Sequence, residues 1–518
     1  MDTVTVSSPW LLGLATLALA TLLYWLLVNV FNRPSLPLPP GPKPWPIVGN
    51  MPHLGPMPHQ ALASLARLHG PLMHLRIGVV DIVVAASASV AEQFLKVQDA
   101  NFLSRPPNAG AKYLMYNYHD LLFAPYGPRW RMLRKITAVH MFSSKALDDC
   151  RHFRQEEARR LVTNLANVGS SAVNLGQLVN ICVTNALARA MLGRRVFNDI
   201  SGGSDPKAEE FKSMVMEMME LGGVFNISDF IPALEWLDIQ GVHAKMKKLH
   251  KRFDSFLTNI VEEHKVSKNH NHRDLLTTLL SLKEVQNDEG ATLTNVEIKA
   301  LLMNLFAGGT DTTTSTTEWA MSELIKHPTM LARVRHESDS VVGRDRLVNE
   351  SDLQNLPYLQ AFIKETFRLH PPTALSLPRI ADSDCEIFGY RIPKGATLLV
   401  DIWAIGRDPK EWSDPTLFRP ERFLPGGEKA DVDIKGYDFE AIPFGAGRRI
   451  CPGVSLGICM VQLLTATMAH AFEWDLQGGL DPEKLNMEEA YGITLQRKVP
   501  LSVNPRPRLA PHVYSQLV

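Results

Sequence analysis

Phe444-Gly445-Ala446-Gly447-Arg448-Arg449-Ile450-Cys451-Pro452-Gly453 is the stretch from which the rest of this 518-residue chain is best read. Glycines at 445, 447 and 453 let a tight loop approach a flat ligand, and two adjacent arginines with a helix-like run from Val454 surround one thiol with positive charge. Such surroundings favour a thiolate, which can serve as a nucleophile, a zinc ligand or a haem ligand. Cys150, Cys182, Cys385 and Cys459 supply no Cys-x-x-Cys pair and no zinc spacing. A lone axial thiolate suits haem iron best.

Upstream, Thr294-Asn295-Val296-Glu297 is a capping box that opens a helix, and His327-Pro328 closes it. The span between them predicts a helix of about 33 residues, roughly 50 Å long. Its centre, Gly308-Gly309 followed by Thr310-Asp311-Thr312-Thr313-Thr314-Ser315-Thr316-Thr317, joins poor helix formers to hydroxyls that compete for the backbone, so the ladder is expected to loosen there. A purely structural helix has little reason to weaken its middle. An oxygen site has one, a gap with a hydroxyl and an acid to handle protons.

Lys plus Arg (54) equals Asp plus Glu (54), so no global charge excess points to nucleic acid. Five scattered cysteines do not form a disulfide framework and place the bulk of the chain in a reducing compartment. Residues 10–31 carry no charge and are long enough for one membrane-spanning helix. Ala18-Leu19-Ala20 offers a signal-peptide cleavage pattern, but a basic n-region is missing and the apolar run continues past it. Arg33 and Lys43 put the following body on the cytosolic side, where Asn226 and Asn349 escape glycosylation. The division expected is an anchor over 1–33, a stiff proline-rich spacer over 34–46 that sets the body off the membrane, and a catalytic body over 47–518.

Within the body, the run from Leu72 to Gly78 and that from Asp81 to Ala85 read as a hairpin, and 387–401 as a second strand-rich patch turning at Pro393-Lys394-Gly395. Val242, Met246, Leu249, Phe253, Phe256 and Ile260 keep one helical face, with the lysines and arginines of 245–252 as its solvated side. His264, His270 and His272 read as surface residues rather than a metal site, and Ser201-Gly202-Gly203-Ser204 as a flexible loop.

Phe444, Gly447, Arg449, Cys451 and Gly453 closely resemble the haem-binding loop of the cytochrome P-450 superfamily, and Gly308 to Thr313 its oxygen-activation motif. Glu365, Arg368 and Arg422 resemble its Glu-x-x-Arg plus Arg triad, and residues 34–46 the hinge of its microsomal members. The resemblance implies a mainly helical fold with small sheets, haem b ligated by Cys451, oxygen handling by Thr312, proton relay by Asp311, and propionate binding by Trp130, Arg134, Arg379 and Arg449. No flavin or nicotinamide motif is present, so electrons from NADPH must come through a flavoprotein reductase. Arg129, Arg131, Lys135 and Arg448 are candidates for its docking face.

Residues 82–87, Gly426-Gly427-Glu428-Lys429 and 432–436 are similar to three signatures of plant flavonoid 3′-hydroxylases. Oxygen-dependent hydroxylation of the flavonoid B ring is implied, naringenin giving eriodictyol, dihydrokaempferol dihydroquercetin, and kaempferol quercetin, in a single-pass protein of the endoplasmic reticulum that could join other pathway enzymes. Thr494 stands where related 3′,5′-hydroxylases more often carry Ala or Ser. By position, 108–116, Phe225, Phe306, Ala307, Leu375, Ser376 and Thr494 would wall the substrate. Gly308, Pro452 and Cys459 depart from the family pattern. The rivals are a 3′,5′-hydroxylase, a hydroxylase of another phenolic, an oxygen-independent haem-thiolate isomerase or dehydratase, and a non-catalytic haem sensor or membrane scaffold. The intact Asp311-Thr312 pair argues for oxygen chemistry.

Overall fold

The computed structural model describes residues 36–169, 171–197, 206–266, 274–283 and 292–515, with Thr16 and Ala20. The expected anchor (apart from those two positions), the 201–204 loop and His270 and His272 lie outside the described residues. Helices of twelve residues or more are α1 (Pro58–His69), α2 (Pro128–His140), α3 (Arg151–Asn167), α4 (Leu175–Leu192), α5 (Pro206–Gly223), α6 (Val242–Val266), α7 (Asn295–Lys326), α8 (Pro328–Val342), α9 (Pro357–Leu369) and α10 (Val454–Ala471). One large apolar core lies among them.

α7 runs through the middle of that core, packed by α4, α9 and α10. Its start is the expected capping box, Glu297 N–H donating to Thr294 Oγ1 at 3.2 Å and Thr294 N–H to Glu297 Oε2 at 2.8 Å. It ends at Lys326, before Pro328. Its centre, however, does not loosen. Thr310, Thr312, Thr316 and Thr317 donate to the carbonyls of Phe306, Gly308, Thr312 and Thr313 over 2.6–2.8 Å, and the helix nevertheless runs unbroken from Asn295 to Lys326. α4 and α10 are apolar enough to cross a bilayer, but 78% and 61% of them is buried inside the protein, which makes them core helices.

The main sheet has the order β1 (Leu72–Ile77), β2 (Val80–Ala85), β4 (Thr397–Val400), β3 (Arg379–Ile380). The expected hairpin pairs Leu72 with Ala85 through Ile77 with Val80, and β2 runs parallel to β4. The second strand patch is divided. Tyr390–Ile392 pairs back onto Cys385–Ile387, so Pro393-Lys394-Gly395 joins two different sheets. A short hairpin of β5 (Glu489–Ala490) and β6 (Gln496–Arg497) reaches α7 near the C-terminus. The described part of the proline-rich segment is strapped to the body, in contrast to a free spacer. Extended backbone leaves its carbonyls open, and Pro37, Pro40 and Pro42 accept from Arg391 N, His74 N and Asn50 Nδ2 at 2.8–3.1 Å.

Candidate active site

The cysteine loop is closed by Cys451 N–H donating to Phe444 O at 3.0 Å. Gly447 has φ +70°, and a Cβ there would lie 2.4 Å from Leu95 O and 2.5 Å from Asp99 Oδ1, so the approach admits glycine alone. The loop leads Cys451 into a cavity of about 1380 Å³ that also reaches α7. Burial pushes the Cys451 thiol up, while the Gly453 N–H and Arg134 draw it down. The flanking arginines do not supply the expected positive shell. Arg448 is exposed beside Asp99, and Arg449 turns to Leu103 O (2.8 Å) and Ala124 O (2.6 Å) with its guanidinium over Trp130.

Arg449 instead joins Arg105, Arg134 and Arg379 on the cavity wall. Burial lowers the pKa of each, that of Arg449 to about 10, and Arg379 repels both Arg105 and Arg449. Arg379 is paired with Asp99 at 3.1 Å, whereas Arg449 Nη1 is buried without a hydrogen-bond partner. Arg105 is a cavity cation that sequence reading missed, since Arg-Pro-Pro carries no periodic or motif signal. Trp130 lines the cavity too, its indole N–H donating to Leu121 O at 3.1 Å. A roomy cavity with a buried thiol in its wall and cations seeking an anion fits haem, a flat group with two carboxylates.

Across the cavity, α7 presents Ala307, Gly308 and Thr312. No heavy atom lies within 4 Å of a Cβ built on Gly308, so the helix carries a notch there. Phe306 does not join the wall. It lies one position back from Ala307, turned about 100° around the helix, and packs in the core against Phe211 at 5.0 Å between ring centroids. Asp311 accepts from Gln496 Nε2 at 2.9 Å through Oδ1, while Oδ2 is buried without a donor. Burial raises its pKa, and the Gln496 amide pulls it back. Phe225, Leu375, Ser376 and Thr494 all line the cavity. Within 108–116 the lining residues are Asn108, Gly110, Leu114 and Met115, while Tyr113 and Tyr116 donate to Glu235 and Asp254.

Beneath the site, Glu365 is fully buried and accepts from Arg368 Nε (2.6 Å), Arg422 Nε (3.3 Å) and Arg419 N (2.7 Å). Glu428 pairs with Arg422 and so extends the triad. Gly427, beside it, has room for no Cβ, which would stand 2.2 Å from Glu421 O. The peripheral signatures therefore brace the fold: 426–429 supports the triad, 432–436 packs under the cysteine loop at Gly436, and 82–87 forms β2 and the cap of the next helix. On the docking side, Arg129, Arg131, Lys135 and Arg448 are all exposed, Arg129 also reaching Glu297 and Thr292 O and Arg448 lying beside Asp99. Among the described residues no group of three or more His, Cys, Asp or Glu could hold a metal ion.

A long helix notched opposite a cysteine loop, with the triad below, defines a haem-thiolate protein. The family model described as Cytochrome P450 matches residues 39–503, and the chain belongs to that family. It is similar to a flavonoid 3′-monooxygenase of Petunia hybrida, 65% identical over 97% of this chain and 98% of that one. A flavonoid 3′,5′-hydroxylase of Crocosmia x crocosmiiflora is 53% identical over 95% of each. Among solved structures, a zebra fish cytochrome P450 with abiraterone matches with TM-score 0.70 and 26% identity, over 87% of this chain and all of that one.

Proposed function

We propose that this chain is a flavonoid 3′-monooxygenase that inserts one oxygen atom beside the 4′-hydroxyl of the flavonoid B ring. The observation that carries the reading is the single cavity joining Cys451 and its arginines to Gly308, Thr312 and Thr494, in a chain 65% identical to a flavonoid 3′-monooxygenase over nearly its whole length. The reaction balances as naringenin, O2, NADPH and one proton giving eriodictyol, NADP+ and water.

Haem bound by Cys451, with Arg134, Arg379 and Arg449 on its propionates, supplies the oxygen-activating chemistry. The protein's own part is to position the ring and move protons. Apolar residues of the wall exclude water from the B ring, and Leu375 and Thr494 limit how it turns. The Thr312 hydroxyl, bonded to Gly308 O at 2.6 Å, rotates to serve the notch. Asp311, its carboxyl raised toward neutrality by burial, takes protons at the Gln496 side, where the strand is exposed, and passes them inward. Electrons derived from NADPH arrive through a flavoprotein reductase docked on Arg129, Arg131, Lys135 and Arg448.

The same reading places an anchor over 1–33 in the endoplasmic reticulum membrane, a proline-rich connection over 34–46, and the catalytic body over 47–518 in the cytosol, where association with other flavonoid-pathway enzymes is open to it. Membranes containing the full chain and a plant reductase, supplied with naringenin, oxygen and NADPH, test the function. Eriodictyol as sole product supports it. A trihydroxylated B ring moves the assignment to the 3′,5′ class, and no product despite an intact thiolate carbon monoxide spectrum overturns the substrate.

A further inference from the structure

Residues 120–124 form a loop with two differently committed sides. Its carbonyls hold cavity residues: Leu121 O accepts from Trp130 Nε1 at 3.1 Å, Leu122 O from Arg105 Nε at 3.3 Å and Ala124 O from Arg449 Nη2 at 2.6 Å. Three of its N–H groups go to two side chains. Leu121 N and Leu122 N donate to Asn304 Oδ1 at 2.9 and 3.1 Å, and Phe123 N to Asp120 Oδ1 at 3.0 Å. Those two side chains are joined by Asn304 Nδ2 donating to Asp120 Oδ2 at 3.0 Å. Asp120 is fully buried, and Asn304 stands on α7 one turn before the notch at Gly308.

We propose that Asp120 and Asn304 act as one positioning pair: they orient the 120–124 loop so that its carbonyls hold Arg105 and Arg449 on the cavity wall for the haem carboxylates and fix the Trp130 ring beneath Arg449, and they tie that pocket to the oxygen helix. The proposal rests on the haem-binding reading of the arginines. Arg105 Nη1 also donates to Leu377 O and Pro378 O, and Arg449 Nε to Leu103 O, so a fault in the pair removes one of the holds on each arginine and lets its guanidinium swing from the carboxylate pocket. The charge fits as well. Asp120 attracts both Arg105 and Arg449, each of which is repelled by Arg379. A buried carboxylate accepting four hydrogen bonds together with its amide partner leaves no donor idle.

Donor and acceptor arithmetic gives the test. Asp120→Asn sets an amide N–H against another N–H, whichever way the new amide is turned. Asn304→Asp sets two carboxylates face to face. The exchange Asp120→Asn with Asn304→Asp rebuilds every bond, with only the link between the two side chains reversed in direction. Haem loss from the full-length holoenzyme to excess apomyoglobin, followed at the Soret band, is the readout, with circular dichroism to monitor folding. Each single variant is expected to lose haem at least about tenfold faster, the size of one unmade buried hydrogen bond, and the exchange to return to within about threefold of the parent. Single variants that release haem at the parental rate, or an exchange no better than the worse single, including one that fails to fold, overturn the proposal. Arg449→Ala separates the two readings: faster loss there with unaffected pair variants removes the pair alone, and unchanged loss there removes the arginine reading beneath it.

Discussion

Asp401→Asn should flatten the pH dependence of stability. Asp401 follows β4, between the cavity-lining residues Val400 and Ile402, and its N–H donates to Ala85 O at 2.9 Å. Its Oδ1 caps the next turn by accepting Ala404 N–H at 3.0 Å, and Oδ2 is buried without a partner. Burial pushes its pKa up to about 8, against the opposing pull of the Ala404 N–H and Arg407. The unfolded carboxyl loses its proton near pH 4. Between about pH 4 and pH 8 the folded state holds a proton that the unfolded state has released, so stability falls as pH rises through this window. From pH 6 to pH 9 the loss comes to about 2–3 kcal/mol. Tyr491, pushed up to about 12 mainly by burial, stays neutral throughout. An asparagine copies the protonated acid, keeping the cap and placing an N–H where the acid held its proton. Urea unfolding of the full chain, followed by tryptophan fluorescence at pH 6 and pH 9, should show the variant losing less stability by that amount and exceeding the parent at pH 9. Equal losses in the two proteins would refute the reasoning.

Gly308→Ala should leave haem content and folding intact and add about 0.5–1 kcal/mol of helix stability in urea, because its Cβ meets open space, whereas Gly309→Ala must displace Leu187 Cδ1 from 2.7 Å and should lower stability. Gln496→Leu removes the amide that donates to Asp311 Oδ1 at 2.9 Å and helps hold that carboxyl down, so the fraction of NADPH converted to hydroxylated product, plotted against pH, should shift its Asp311 limb upward; an unmoved limb contradicts the contact. Phe306→Leu should cost about 1 kcal/mol of stability with no change in flavonoid KM, while Ala307→Val, inside the cavity, should change KM several-fold; steady-state kinetics with urea unfolding separates the two.

Legibility followed how local the physics was. The capping box, the hairpin, the cysteine loop and the triad were readable because each is set by neighbours in sequence or by a motif a few residues long. Phe306 was misplaced because family position does not resolve which side of a buried helix a residue occupies when both sides are apolar. Arg105, Asp120, Asn304 and Gln496 were invisible for another reason. Each gains its role from a partner far along the chain, as Gln496 does from Asp311, 185 residues away. The flanking arginines misled because adjacency to Cys451 in sequence says nothing of side-chain direction, and both guanidinium groups turn away.

The centre of α7 shows how an oxygen site can be cut into a helix without breaking it. Glycines and threonines there forfeit intrinsic propensity, yet helical stability in a folded protein comes chiefly from tertiary docking. The docking falls at Asn304, Asp311, Ser315 and Trp319, spaced seven, four and four residues apart and so on one side of the helix. Asn304 takes the 120–124 loop, Asp311 takes Gln496, and Ser315 Oγ and Trp319 Nε1 both donate to Leu495 O, at 2.8 and 3.3 Å. These bonds hold the helix from outside its own ladder, which leaves Gly308 free to be a notch and the Thr312 hydroxyl free to exchange its backbone partner for another. They also register the β5–β6 hairpin against the oxygen site. On the proposed function, Thr494, in the β5–β6 turn on the cavity wall and beside Asp311, meets the substrate and the proton path at once, so the choice of ring position and the delivery of protons are set by the same hairpin.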